Sequence, residues 1–448
     1  MLKGLRVIVG LVAIGALLLP SAAAAQGDNA PTPIIFVHGN SGSAQQFESS
    51  MMRFTSNGFP QNRLFAYEYD TSASNNDAAV ANLVTFVENV KRKTGASQVD
   101  IVAHSRGTLV SFTFLKTPEN AANVKHYVNL DGAYAEYEPG NVETLALWAE
   151  GDQTRHILGA ENVYFPNRAH TEVASSSASF ARIYEFLEGE KPETKAVVPE
   201  NPKHIRISGR ALSFPVNVGI DGGELAIYEV DGETGARLSE KPIYTKSLDA
   251  GGHFGPVKVN GTSHYELAVK TPAGYTVHNY PEPFERSDRF YRVLDAPPLR
   301  PYIEQAADHT NISVTRMREW WGDQTDPVGN DTLSFNGFQV INPAIAPRKR
   351  RVLAVFNFDK NSDGVSDTSA SLFPFNSVSF LTGVDNYMPS SPDHSGTIAV
   401  KETMRGAKAH SETINVPNWP STDDTVSVFF RDYAAKTYKA PKGKGSGK

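Results

Sequence analysis

Between Pro33 and Gly189, short apolar runs alternate with stretches whose apolar residues recur every three or four positions. Residues 34–37 form a buried-strand run, and 44–56 follow with helical spacing. A second strand is expected over 64–69. Residues 77–94 place Val80, Leu83, Val84, Val87 and Val90 on one stripe, the mark of an amphipathic helix. Residues 99–103, 124–130, 144–148 and 162–165 read as further strands, with a helix over 108–116 between the first two. Phe180, Ile183, Tyr184 and Leu187 give a closing helix its apolar face, and Gly189 ends it. Strands separated by single helices predict parallel βαβ units and a doubly wound, mostly parallel sheet.

The period then changes from 3.6 to 2. Residues 191–203 carry Pro192, Pro199 and Pro202 among charges and read as a linker. Beyond them, 205–208, 225–230, 264–269, 352–358, 396–400 and 425–430 alternate or form short β-branched runs, with turn signals such as Asp231-Gly232 and Asn260-Gly261 between them. The pattern predicts an all-β region of sandwich or barrel type, in one module over 204–297 and a second over 298–436, with a disordered basic tail over 437–448.

Three features of composition narrow the function. Lys3 and Arg6, the apolar run 7–19 and Ala23-Ala24-Ala25 make residues 1–25 an expected signal peptide, so the mature chain is expected to be secreted. Without those two basic residues 41 remain against 49 acidic ones, and a net acidic chain lacking a basic stripe argues against nucleic acid as a partner. Cysteine is absent, which excludes disulfides, thiolate metal sites and cysteine nucleophiles.

The chemistry concentrates around Ala103-His104-Ser105-Arg106-Gly107, set between a buried strand and a helix. Small residues two places either side of a serine allow the tight strand-to-helix turn that lifts the hydroxyl above an α/β-hydrolase sheet, although Ala103 stands where glycine is commoner. Upstream, His38-Gly39-Asn40-Ser41-Gly42 follows the first strand, where this fold draws the second half of its oxyanion hole; the N–H groups of Asn40 and Arg106 are the expected donors. His38 lies on the wrong loop for a base and is expected to buttress it. The base must follow later in the chain, and His170, after the last strand, is preferred over His156, which lies in a helix-like stretch over 154–158. The acid is open between Asp131 and Asp152, each at the end of a strand; the chain alone tilts towards Asp152.

The segment PIIFVHGNSGSAQQFES (33–49) resembles the start of thermophilic archaeal lipases that join an α/β-hydrolase domain (31–190 here) to a C-terminal β-barrel. So do Met52-Arg53-Phe54, Gly58-Phe59-Pro60, residues 68–71, Leu130-Asp131-Gly132 and 162–165, with thinner similarity over 397–401 and 414–419. The resemblance implies a secreted carboxylic ester hydrolase, places the acid at Asp131 with Asp152 as the alternative, and implies that the β region positions lipid or long acyl substrates. It also marks a departure, because only 70–98 fills the interval where those lipases insert a long lid. A large lid is therefore not expected here, and an open cleft would accept bulky esters or polyesters.

Other signals carry less. Residues 359–367 have the acid spacing of a calcium loop but Ala370 stands where the bidentate Glu belongs, so a polar turn is expected and no metal. Trp320 and Trp321 are expected in the core, with lipid or polymer contact through the β region as the rival use. No cofactor motif appears. The alternative function is a surface- or lipid-binding protein with a vestigial hydrolase domain, and nothing in the chain fixes the oligomeric state.

Overall fold

The fold is described from a computed structural model over residues 30–406 and 410–438; the expected leader and the tail from Lys439 lie outside them. The first half alternates as its apolar pattern requires: β1 (Ile34–Val37), α1 (Glu48–Ser56), β2 (Leu64–Tyr67), α2 (Asp77–Thr94), β3 (Val99–His104), α3 (Arg106–Leu115), α4 (Pro118–Ala121), β4 (Val124–Leu130), β5 (Glu143–Ala149), β6 (Glu161–Phe165), α5 (Glu172–Ser175) and α6 (Ser177–Glu188). The six strands form one parallel sheet in the order β2-β1-β3-β4-β5-β6. Successive side chains of β1 go to opposite faces: Ile34 and Phe36 pack with α1 and α6, and Ile35 and Val37 with α2 and α3. Each face thus buries the apolar stripe of its helices, the doubly wound arrangement of an α/β-hydrolase. The interval 70–98 holds a short loop and α2.

The second half is β throughout: β7 (Arg206–Ser213), β8 (Val218–Gly219), β9 (Glu224–Val230), β10 (Tyr244–Ser247), β11 (His253–Lys258), β12 (His264–Lys270), β13 (Thr276–Pro281), β14 (Asp288–Asp295), β15 (Ile312–Arg316), β16 (Thr332–Phe335), β17 (Phe338–Gln339), β18 (Ala354–Phe358), β19 (Leu381–Asp385), β20 (Thr397–Met404), β21 (His410–Pro417) and β22 (Asp424–Phe430). An eight-stranded sheet runs β10-β9-β12-β13-β22-β15-β18-β19. Its middle is the parallel pairing of β22 with both β13 and β15, so one sheet continues across 204–297 and 298–436. Four-stranded sheets cover it, one built from β11, β7, β14 and β8, the other from β17, β16, β20 and β21. Trp320 is fully buried in the core beneath the larger sheet.

Two expectations fail locally. Residues 154–158, read as helix-like, form a turn and an isolated bridge from Ile157 to Ala135. Asp152 caps that turn by accepting from the Thr154 N–H at 3.0 Å, a local bond that competes with helix. The strand expected over 64–69 ends at Tyr67, because the Tyr69 carbonyl instead accepts from Asn217 Nδ2 of the β region (3.1 Å).

Regions 31–190 and 191–438 meet over a broad contact that is rich in charge. Arg292 on β14 donates to Glu68 (2.7 Å), Asn217 donates to the Gly42 carbonyl (2.8 Å), and Ser175 donates to the Met317 carbonyl (2.9 Å). These contacts fall on the segments that follow the carboxyl ends of β1, β2 and β6, the side on which a parallel sheet carries its chemistry.

Candidate active site

β3 ends at His104 and α3 begins at Arg106, which leaves Ser105 alone in the turn with φ 51° and ψ −121°. A side-chain-bearing residue enters that region only at a cost of about 1–3 kcal/mol, stored here by the fixed strand and helix on either side. Gly107 makes the turn feasible, since a Cβ there would collide with the carbonyl oxygens of Val37 and His38. The Ser105 N–H donates to the Leu130 carbonyl (3.0 Å), tying the turn to the end of β4.

The next residue after β4 is Asp131, also at positive φ (47°) and buried. Its Oδ2 accepts from His170 Nδ1 at 2.5 Å, and its Oδ1 accepts from the Ala149 N–H at 2.8 Å and from the Arg155 guanidinium. Burial works against ionisation of this carboxyl. The His170 bond and charge, the Ala149 N–H and Arg155 outweigh it and hold Asp131 well below the usual carboxylate range. Asp152, exposed, accepts instead from Thr154 and from Arg155 Nε (3.2 Å). It meets Asp131 only through the shared arginine.

Because Nδ1 donates to Asp131, the Nε2 of His170 is left to accept a proton. Among the described residues no hydrogen bond joins Ser105 Oγ to that ring, and such bonds commonly tighten only around substrate. The two residues are held as neighbours through His104. Its ring stands 4.5 Å from that of His170, and its Nε2 donates to the His170 carbonyl at 2.9 Å. Burial, reinforced by the adjacent His170, pushes the His104 imidazole well below its ordinary value, so it stays neutral as a spacer. His156, the other histidine considered, lies on the turn before Ile157 and accepts through its carbonyl from Ala135.

Gly39 brings the loop after β1 against the serine, since a Cβ there would lie 3.0 Å from Ser105 Cβ and 2.9 Å from His104 Nδ1. His38 buttresses this loop as its position implied: its ring stacks on Tyr69 (4.4 Å), and its Nε2 lies 3.2 Å from Glu68. The Asn40 and Arg106 side chains meet, with Arg106 Nη1 donating to Asn40 Oδ1 at 3.0 Å. The same guanidinium donates to the carbonyls of Thr71 (2.8 Å), Ala73 (2.7 Å) and Asn75 (3.0 Å), pinning the short 70–76 loop beside the site.

An apolar cavity of about 140 Å³ opens from this corner, lined by Asn40, Gly42, His104 and Thr171 at one end and by Val277, Ile312, Phe356 and Phe380 of the β region at the other. Phe380 stacks on His170 with ring centroids 5.9 Å apart. No pattern in the chain pointed to Phe380, to Arg155, or to the buried Glu319, whose carboxylate accepts from the backbone beside His170. Among the described residues no group of three or more His, Asp or Glu is arranged to hold a metal ion. Residues 360–362 form a short turn after β18.

A family model for lipase (class 2) matches residues 31–121, which carry the loop after β1 and the Ser105 turn. A model for a lipase C-terminal domain matches 203–298, and a further C-terminal-domain model matches 298–434. Together these models support an α/β-hydrolase lipase family with a C-terminal domain. Solved structures similar to this chain include Aspergillus fumigatus lipase B (13% identity, 39% of this chain and 56% of that chain, TM-score 0.31). Carboxylesterase CesB from Bacillus subtilis is another (13%, 37% and 86%, TM-score 0.26), as is Bacillus licheniformis lipase BlEst2 in propeptide form (11%, 88% and 94%, TM-score 0.27). At such identities and scores they add nothing to what the family models establish.

Proposed function

We propose that this lipase-family protein is an exported serine hydrolase of carboxylic esters with long or bulky acyl groups. The observation that carries the reading is the buried Asp131–His170 pair beside a serine in a strained turn. Ser105 Oγ attacks the acyl carbon as His170 Nε2 takes its proton, and the resulting imidazolium is stabilised by the Asp131 carboxylate. The N–H groups of Asn40 and Arg106 receive the oxyanion, each worth about 10²–10³ in rate at such sites. The imidazolium returns the proton to the departing alcohol, leaving an acyl ester on Ser105. Water then attacks that ester by the same route, releasing the acid and restoring the hydroxyl. This scheme needs no cofactor.

The cavity supports the acyl preference, since its walls are mostly apolar and it reaches Asn40 and His104 on either side of the serine turn. Next to its lining residue Ile303 stands Tyr302, exposed and 6.4 Å from the exposed ring of Phe373. This pair suits contact with a lipid or polymer surface.

The test is a fluorophosphonate probe with a panel of p-nitrophenyl esters of increasing chain length. Wild type is expected to be labelled at Ser105, and Ser105→Ala to be neither labelled nor active while keeping its fold. Ester hydrolysis by folded Ser105→Ala protein would overturn the reading.

A further inference from the structure

The residue that follows His170 in the chain is held from the other half of the molecule. Thr171 N–H and Glu172 N–H both donate to the Glu319 carboxylate, the second at 3.1 Å to Oε2. We propose that Glu319 is a positioning residue for the catalytic histidine, so that the β region is part of the catalytic apparatus. The inference rests on the triad proposed above.

Glu319 is fully buried, in the segment between β15 and β16. A carboxylate placed there is costly unless its oxygens are satisfied, and burial does push its carboxyl above the ordinary value. The two N–H groups beside His170 are the donors that satisfy it.

Glu319 is itself immobilised. Its carbonyl accepts from Arg405 Nη1 and from Arg316 Nη2 (3.1 Å), and the N–H of Trp320 donates to Val352 at 2.8 Å. The same two arginines are anchored on Asp331, at 2.7 Å from Arg405 and 2.9 Å from Arg316. Arg316 also meets Glu402 (2.9 Å). Glu172, whose N–H is held by Glu319, has its own carboxylate bound by Arg405 (2.8 Å), Arg168 (2.9 Å) and Arg318 (3.2 Å).

The His170 loop is therefore gripped at its backbone by Glu319 and at its next charged side chain by a network whose Arg318 and Arg405 come from the β region. Meanwhile the His170 carbonyl is held from β3 by His104. What remains for the imidazole is rotation about its own side-chain bonds, and the 2.5 Å bond to Asp131 fixes that. A displacement of about 1 Å in such a base costs on the order of 10²-fold in rate.

The test uses the full chain and compares Glu319→Gln and Glu319→Ala with wild type. The Gln variant keeps the volume but sets an NH2 donor against one of the two N–H groups. The expected result is a kcat on a short, soluble p-nitrophenyl ester lowered roughly 10- to 10²-fold, with KM within about twofold. The downfield proton resonance of the His170 Nδ1–H should also weaken or shift. Glu266→Gln, which removes a distant buried carboxylate of the β region, controls for general loss of stability and should leave kcat and that resonance unchanged. If neither Glu319 variant folds, Glu319→Asp is measured the same way: it keeps the charge but falls one methylene short. Folded Glu319 variants with wild-type kcat and an unmoved resonance would overturn the proposal. Failure of the triad reading is separate: wild type itself would then escape the fluorophosphonate probe at Ser105.

Discussion

Asp131 Oδ2 and His170 Nδ1 lie 2.5 Å apart inside the protein, and the other carboxylate oxygen is occupied by Arg155 and the Ala149 N–H. The pair is thus fixed from both ends before any substrate arrives. Asp152 stands outside it, exposed, on the far side of Arg155.

That arrangement predicts different effects for the two carboxylates. Asp131→Asn should lower kcat on p-nitrophenyl esters by on the order of 10³- to 10⁴-fold, because an amide cannot hold the same tautomer or stabilise imidazolium. Asp152→Asn should stay within about threefold of wild type, since it loses only an exposed ion pair. Steady-state kinetics on the two variants decide the matter, and equal losses would count against Asp131.

Phe380 holds a positive φ of 73°, costly for a bulky residue, and its ring faces both His170 and the cavity. Phe380→Ala should raise KM for long-chain esters more than for short ones, because the wall that receives the chain is lost. Phe380→Gly should show the same kinetics but melt higher than the Ala variant, by the equivalent of about 1 kcal/mol, since glycine adopts that φ freely. A Gly variant that melts lower than the Ala variant would contradict this account of the strain.

A pH effect is expected where α1 meets β14. Burial pushes the Asp288 carboxyl up to about 6, and burial beside Asp288 also raises Glu48. A carboxyl whose folded value lies above its unfolded one, about 3.9, binds protons more readily when folded. Its contribution is therefore most favourable below about pH 4 and is lost as pH rises through about 6. Asp288→Asn cannot ionise there. It should melt above wild type at pH 8, with the gap closing towards pH 4 in scanning calorimetry; a gap independent of pH would refute it.

The α/β half was legible because its information is local. Apolar spacing located β1, α2 and β4 to their ends, and the small residues around Ser105 announced a turn that the Val37 and His38 carbonyls explain. The choice between Asp131 and Asp152 was not local. Both follow strands; the resemblance favoured Asp131, and in the fold it is Asp131 that His170 meets. Thr154 to Leu158 misled because the Asp152 turn bonds override a helical spacing. Glu319 and Phe380 left no trace in the pattern. Each acts on a histidine about 150 to 210 positions earlier, through tertiary contact that no periodicity encodes.

The centre of the eight-stranded sheet is β22, flanked by β13 and β15 and parallel to both. Among the described strands it comes last in the chain. Until it is made, two earlier strands wait with open edges, and the pairings that close them span about 150 and about 110 residues of intervening chain. Such non-local closure is slow. Synthesis order alone therefore keeps this sheet open at its centre until β22 has been delivered.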